Sequence, residues 1–180
     1  MTSAKRLAAL AGALALAAQP TLASAQSSAC VTEAEVSAIG IYSVPSMMRS
    51  LRTRCNAELS PNGYLATRGD SLIGRYAALQ SRVWPTARSG LMKVMASKAG
   101  GQLAGLDVIG RVPDESIRPL VDALIVQELA PNVALKDCWK IERVVEALAP
   151  IDPEIAGTLL GTVVGVLQPN ELPMCRARAR

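Results

Sequence analysis

The chain has 180 residues, half of them hydrophobic and 19% charged, with 13 glycines, 11 prolines, no phenylalanine and no histidine. That is about one domain's worth of chain, too apolar for a disordered protein. The missing imidazole excludes Ser-His-Asp and Cys-His catalysis, the H-E-x-x-H zinc site and c-type haem attachment.

The first 25 residues read as a secretory signal peptide. Lys5 and Arg6 give the positive start, residues 7–18 are Leu, Ala and Gly only, Pro20 breaks the run, and Ala23-Ser24-Ala25 is a small-x-small cleavage site. The apolar run would span about 18 Å as a helix, short of the ~30 Å bilayer core, so no permanent transmembrane span is expected. Cleavage after Ala25 leaves residues 26–180 as a single helical domain with a short basic tail. It carries 17 basic and 15 acidic residues.

All four cysteines, Cys30, Cys55, Cys138 and Cys175, follow the cleavage site. An even count in an exported chain predicts two disulfides. No C-x-x-C occurs, which excludes a thioredoxin-like motif, and the dispersed spacing does not suggest zinc. Residues 31–42 and 45–55 read as two helices broken at Val44-Pro45. If they form an antiparallel hairpin, Cys30 meets Cys55, and a similar return of the chain brings Cys175 to Cys138. If Pro45 only kinks one long helix, about 36 Å would separate the ends and the first pair fails.

Elsewhere the chain reads as helices, with no sustained period-two alternation. Thr32 and Glu35 form a capping box for the first helix. Residues 56–63 are a loop, and residues 65–82 carry apolar positions at helical spacing. Trp84-Pro85 opens the next helix with proline in its first turn. Residues 102–112 fit a short helix or a loop. Pro113-Asp114-Glu115 starts a strongly periodic helix, a further one runs over about 136–148, and Asp152-Pro153-Glu154 starts the last, over 153–167. The expected fold is an all-α bundle of six or seven short helices, stapled by two disulfides.

Four features could carry function. Gly157, Gly161 and Gly165 repeat every four residues and line one side of the last helix, where each costs about 1 kcal/mol relative to alanine unless another backbone approaches closely. Charge is segregated: residues 49–98 hold nine basic and two acidic residues, and residues 99–175 hold five basic and eleven acidic. Arg75, Arg82 and Arg88 are the candidate contact surface, with mutual neutralisation of the two halves as the rival reading. With five aromatics in the mature chain and no stacking pattern beside the arginines, nucleic acid is not an expected partner. Glu142 and Glu146, with Asp137 and Asp152 nearby, are expected at the surface rather than as a catalytic pair. Ser89 and Lys93 stand one helical turn apart, and Arg68-Gly69-Asp70 spells an adhesion tripeptide.

The sequence thus points to an exported, non-catalytic helical protein that binds a protein or an envelope component, with peripheral membrane contact open to it. The alternative is a carrier or sensor of an apolar ligand that uses the helix over 153–167. No cofactor, metal or enzymatic activity is expected.

Overall fold

The computed structural model describes residues 30–98, 111–129 and 133–175. Among them are seven α-helices: α1 (Glu33–Cys55), α2 (Tyr64–Thr67), α3 (Gly69–Ala77), α4 (Gln80–Lys98), α5 (Asp114–Leu129), α6 (Cys138–Leu148) and α7 (Pro153–Leu167). A single 3-10 turn, Leu135–Asp137, precedes α6. The described residues form no strand, only one bridge between Val31 and Met174. The all-α bundle is as expected. The leader, most of the stretch 102–112 and the arginine tail lie outside the described residues.

The main departure concerns α1. It runs unbroken for 23 residues, straight through Pro45. A proline inside a helix removes one backbone hydrogen bond and crowds the preceding turn. Here the surroundings hold the helix together. Ile41, Tyr42, Ser43, Pro45, Ser46 and Leu51 are all buried, because α3, α4, α5 and α7 pack around α1. Tyr42 O accepts from Gln80 Nε2 at 2.9 Å, and Ser43 Oγ donates to Ile39 O at 2.7 Å. The capping box at the start of α1 is present as read: Glu35 N donates to Thr32 Oγ1, and Thr32 N donates to Glu35 Oε2.

An unbroken α1 is about 35 Å long, so Cys30 and Cys55 lie at opposite ends. The expected pairs Cys30–Cys55 and Cys138–Cys175 are therefore replaced by Cys30–Cys175 and Cys55–Cys138, with Cα atoms 4.8 and 5.7 Å apart. One disulfide closes the start of α1 against the end of the described chain, where Val31 N donates to Pro173 O and Cys175 N to Val31 O. The other pins the far end of α1 to the start of α6. A non-reducing tryptic digest should yield peptide 55–68 joined to peptide 137–140. Release of peptide 137–140 bound to peptide 144–176 would restore the hairpin pairing.

Three other boundaries differ. Residues 65–82 are divided among α2, α3 and the start of α4, and α4 begins at Gln80, which leaves Pro85 in its interior. The start of α6 is delayed to Cys138 by the 3-10 turn. In contrast, α7 occupies the expected range, with the Asp152 carboxylate accepting from the backbone N–H groups of Glu154 and Ile155.

Two apolar clusters form the core. Ala38, Tyr42, Trp84, Ala87 and Ile117 join α1, α4 and α5. Tyr42 and Trp84 lie 4.8 Å apart at their ring centroids, and the Arg118 guanidinium lies 5.1 Å from the indole centroid. The second cluster, Leu51, Cys55, Leu65 and Cys138, joins the end of α1 to α2 and α6.

Candidate functional site

The register of α1 places its two main partners on opposite sides. Glu35, Ala38, Ile39 and Tyr42 face α4, whereas Glu33, Ser37, Gly40 and Ile41 face α7. Both partners come close because they present glycine. Gly90 of α4 lies over Glu35. Gly157, Gly161 and Gly165 of α7 are all buried against α1. A methyl at Gly161 would collide with the backbone oxygen of Glu33, and one at Gly157 would stand 2.6 Å from Ile41 Cδ1. The stripe seen in the sequence is thus the contact between α7 and α1. It leaves no room for an apolar ligand on that side of α7.

Gly161→Ala should therefore lower stability by about 1–3 kcal/mol despite alanine's better helix propensity. The same change at Gly74, where an added methyl meets nothing within 4 Å, should raise it by about 0.5–1 kcal/mol. Chemical denaturation of both variants checks the contrast, and two changes of the same sign would contradict it.

The other side of α7 is of a different kind. Ile155, Leu159, Leu160, Val163, Val166 and Leu167 are exposed, with Val166 at 76% and Leu167 at 71% of full accessibility. At 100° per residue they centre on the side opposite the glycines. From Ile155 to Leu167 the helix has no charged residue. Exposed aliphatic residues scattered singly are ordinary, whereas on α7 they form a stripe along the helix. On α6, Ile141 and Val145 turn inward to the second cluster, while Trp139, Val144 and Leu148 are exposed. Among the described residues no single helix is long and apolar enough to cross a membrane. The pair over Leu135–Leu148 and Pro153–Leu167 meets that requirement only jointly, bent by 114°.

The arginines proposed as a contact surface lie along α3 and α4, and each engages its own chain. Arg75 donates to Ala149 O, Arg82 pairs with Glu154, and Arg88 pairs with Asp114 and donates to Val112 O at 2.9 Å. These bonds run from the basic segment to the acidic one. Asp70 of the Arg68-Gly69-Asp70 tripeptide pairs with Arg52, at the α2–α3 junction.

The carboxylates do not converge. Asp152 caps α7 and Asp137 binds Lys140 at 2.7 Å. Glu146 is exposed, and Glu142 is turned back to accept from Leu65 N at 2.8 Å, so it caps α2 instead of facing solvent. No group of three or more metal-ligating acids or cysteines occurs among the described residues.

Sequence reading missed one polar cluster. Ser89 and Lys93 do stand together, but both address Glu35: Ser89 Oγ donates to Oε1 at 2.7 Å and Lys93 Nζ to Oε2 at 2.9 Å. The Glu35 and Lys93 side chains are 8% and 14% exposed. Burial opposes ionisation of Glu35. The hydrogen bonds from Lys93, the Thr32 N–H and Ser89, with the lysine charge, outweigh it and hold the carboxyl below its ordinary value of 4.5. Its capping box was legible, whereas partners 54 and 58 residues away were not. Burial, reinforced by the Asp122 charge, pushes the Tyr42 hydroxyl up to about 12.

No protein-family model, curated protein sequence or solved structure matches this chain.

Proposed function

We propose that this chain is an exported, non-catalytic helical protein that binds a protein or an envelope component through the outer face of α7. The observation that carries this reading is the uncharged aliphatic stripe from Ile155 to Leu167, left open by a helix whose other side is closed against α1. Export to the periplasm or the medium, with cleavage near Ala25, is supported by the signal-peptide pattern of the first 25 residues. The two disulfides support an oxidising, exported compartment. A non-catalytic role is supported by the Glu35–Ser89–Lys93 cluster, whose polar atoms are directed at one another. The arginine surface is less favoured than α7, because Arg75, Arg82 and Arg88 already bind groups of the same chain.

The test is a diazirine amino acid placed at Val163 in exporting cells, with the same group at exposed Arg68 as control. Adducts at Val163 that are absent at position 68 are the expected result. The same adduct pattern at both positions, or none at Val163, overturns the reading.

A further inference from the structure

We infer that the Cys30–Cys175 disulfide is a redox-sensitive clasp. An external dithiol opens it ahead of Cys55–Cys138, and the strap over residues 168–175 then leaves the start of α1 while the helices stay packed. The two bonds differ first in access. Thiol–disulfide exchange requires a thiolate to reach a sulfur, so exposed disulfides are the labile ones. Cys55 and Cys138 are 0% exposed and lie in one cluster with Leu51 and Leu65. A reagent reaches that bond only when the cluster opens. Cys30 and Cys175, in contrast, are half-buried.

The bonds differ also in what they hold. Cys55–Cys138 joins two helices, whereas Cys30–Cys175 holds a strap. Gln168 ends α7 with φ at 43°, the one described non-glycine residue with positive φ, and turns the chain out of the helix. Two short turns follow, in which Leu172 N donates to Pro169 O at 3.0 Å and Met174 N to Leu172 O at 2.7 Å. No residue from 168 to 175 is buried. Besides the disulfide, two backbone hydrogen bonds join the strap to Val31: Val31 N donates to Pro173 O at 2.7 Å and Cys175 N to Val31 O at 2.9 Å. Segments with few buried contacts open locally at low cost.

The helices on either side do not depend on the strap. Gly157, Gly161 and Gly165 seat α7 directly on α1. The start of α1 keeps its own capping box of Thr32 and Glu35. Opening the clasp therefore frees Pro173 and Met174 from Val31, which is fully buried in the closed form, and leaves the bundle intact.

The chemistry balances with a dithiol as the reductant. One of its thiolates attacks a sulfur of the pair, the S–S bond breaks, and the other cysteine leaves as a thiolate and takes up a proton. The second thiol of the reductant then displaces the protein from the mixed disulfide. The reductant departs as a disulfide, having given two electrons and two protons, and Cys30 and Cys175 remain as thiols.

The experiment is graded reduction of the oxidised protein, purified from exporting cells, with dithiothreitol under native conditions. Samples are quenched with N-ethylmaleimide and mapped by mass spectrometry. A species blocked at Cys30 and Cys175, with Cys55–Cys138 intact, should appear at least about tenfold faster than the fully reduced chain. Its circular dichroism should match that of the oxidised protein, and amide exchange should accelerate at Val31 and over 172–175 alone. Earlier opening of Cys55–Cys138, simultaneous loss of both bonds, persistence of both until global unfolding, or faster exchange throughout α1 and α7 overturns the inference. Cys30→Ser with Cys175→Ser should fold with Cys55–Cys138 formed and show the same local exchange without reductant. A variant that fails to fold also overturns it, because the bond would then hold the bundle and not a strap.

Discussion

Glu35→Ala should destabilise the protein by about 3–5 kcal/mol, the usual effect of removing one partner from a buried ion pair. Lys93 would keep its ammonium at 14% exposure with no carboxylate opposite, and Ser89 would lose its acceptor. The capping box would go with it, since the same side chain accepts from Thr32 N. Lys93→Met alone should also be costly, but the double variant should lose less than the sum of the two singles, because neither then leaves a charge stranded. A urea series on the four proteins measures this. A loss below about 1 kcal/mol for Glu35→Ala, or strict additivity, would mean that the cluster is solvated and contributes little.

The same residue predicts how stability depends on pH. The folded protein holds the Glu35 carboxyl below its ordinary value of 4.5, so the unfolded chain binds its proton more readily. The contribution is complete above about pH 4.5 and is lost as the pH falls through the lower native value. Unfolding titrations at successive pH values should therefore give a steeper acid-side decline for the wild-type protein than for Glu35→Gln.

What the sequence made legible was local. The last helix could be read to the residue because Asp152, Pro153 and Glu154 are a cap, a first-turn proline and a first-turn acid in succession. The spacing of Gly157, Gly161 and Gly165 identified a close backbone contact, though not that α1 would make it. The capping box of Thr32 and Glu35 needed only four residues in a row. The errors arose where distant residues decide the outcome. At Pro45, local propensity favours a break, and burial of its neighbours against four other helices overrides it. Both disulfide pairings then changed, since they depended on that single turn. The segregation of charge was visible, but the pairing of Arg82 with Glu154 or Arg88 with Asp114 depends on how α4 lies beside α5 and α7. Helical spacing also marks positions without saying which side stays open. Val144 and Leu148 continue the apolar pattern of Ile141 and Val145, yet only the latter two reach the core.

Replacing Cys55 and Cys138 together by alanine should remove about 4–5 kcal/mol, the chain-entropy value for a cross-link that spans 83 residues. With an m-value near 2 kcal/mol/M, the urea midpoint should fall by roughly 2 M. The loss should not be uniform. On one side of its connection α7 is seated on α1 by three glycines, but α6 packs chiefly on the four-residue helix α2 and on the half-cystine cluster itself. Cys55 and Cys138 are both fully buried there, between Leu51 and Leu65. Without the bond, the ties left to α6 among the described residues include the packing of Ile141 and Val145, the Glu142 carboxylate on Leu65 N and the Arg75 guanidinium on Ala149 O at its C-terminal cap. Amide exchange in the variant should accelerate first across α6 and α2, while α1, α4 and α7 stay protected up to global unfolding. Uniform acceleration over all helices would mean that α6 is held by the whole bundle and that the disulfide acts only on the unfolded chain.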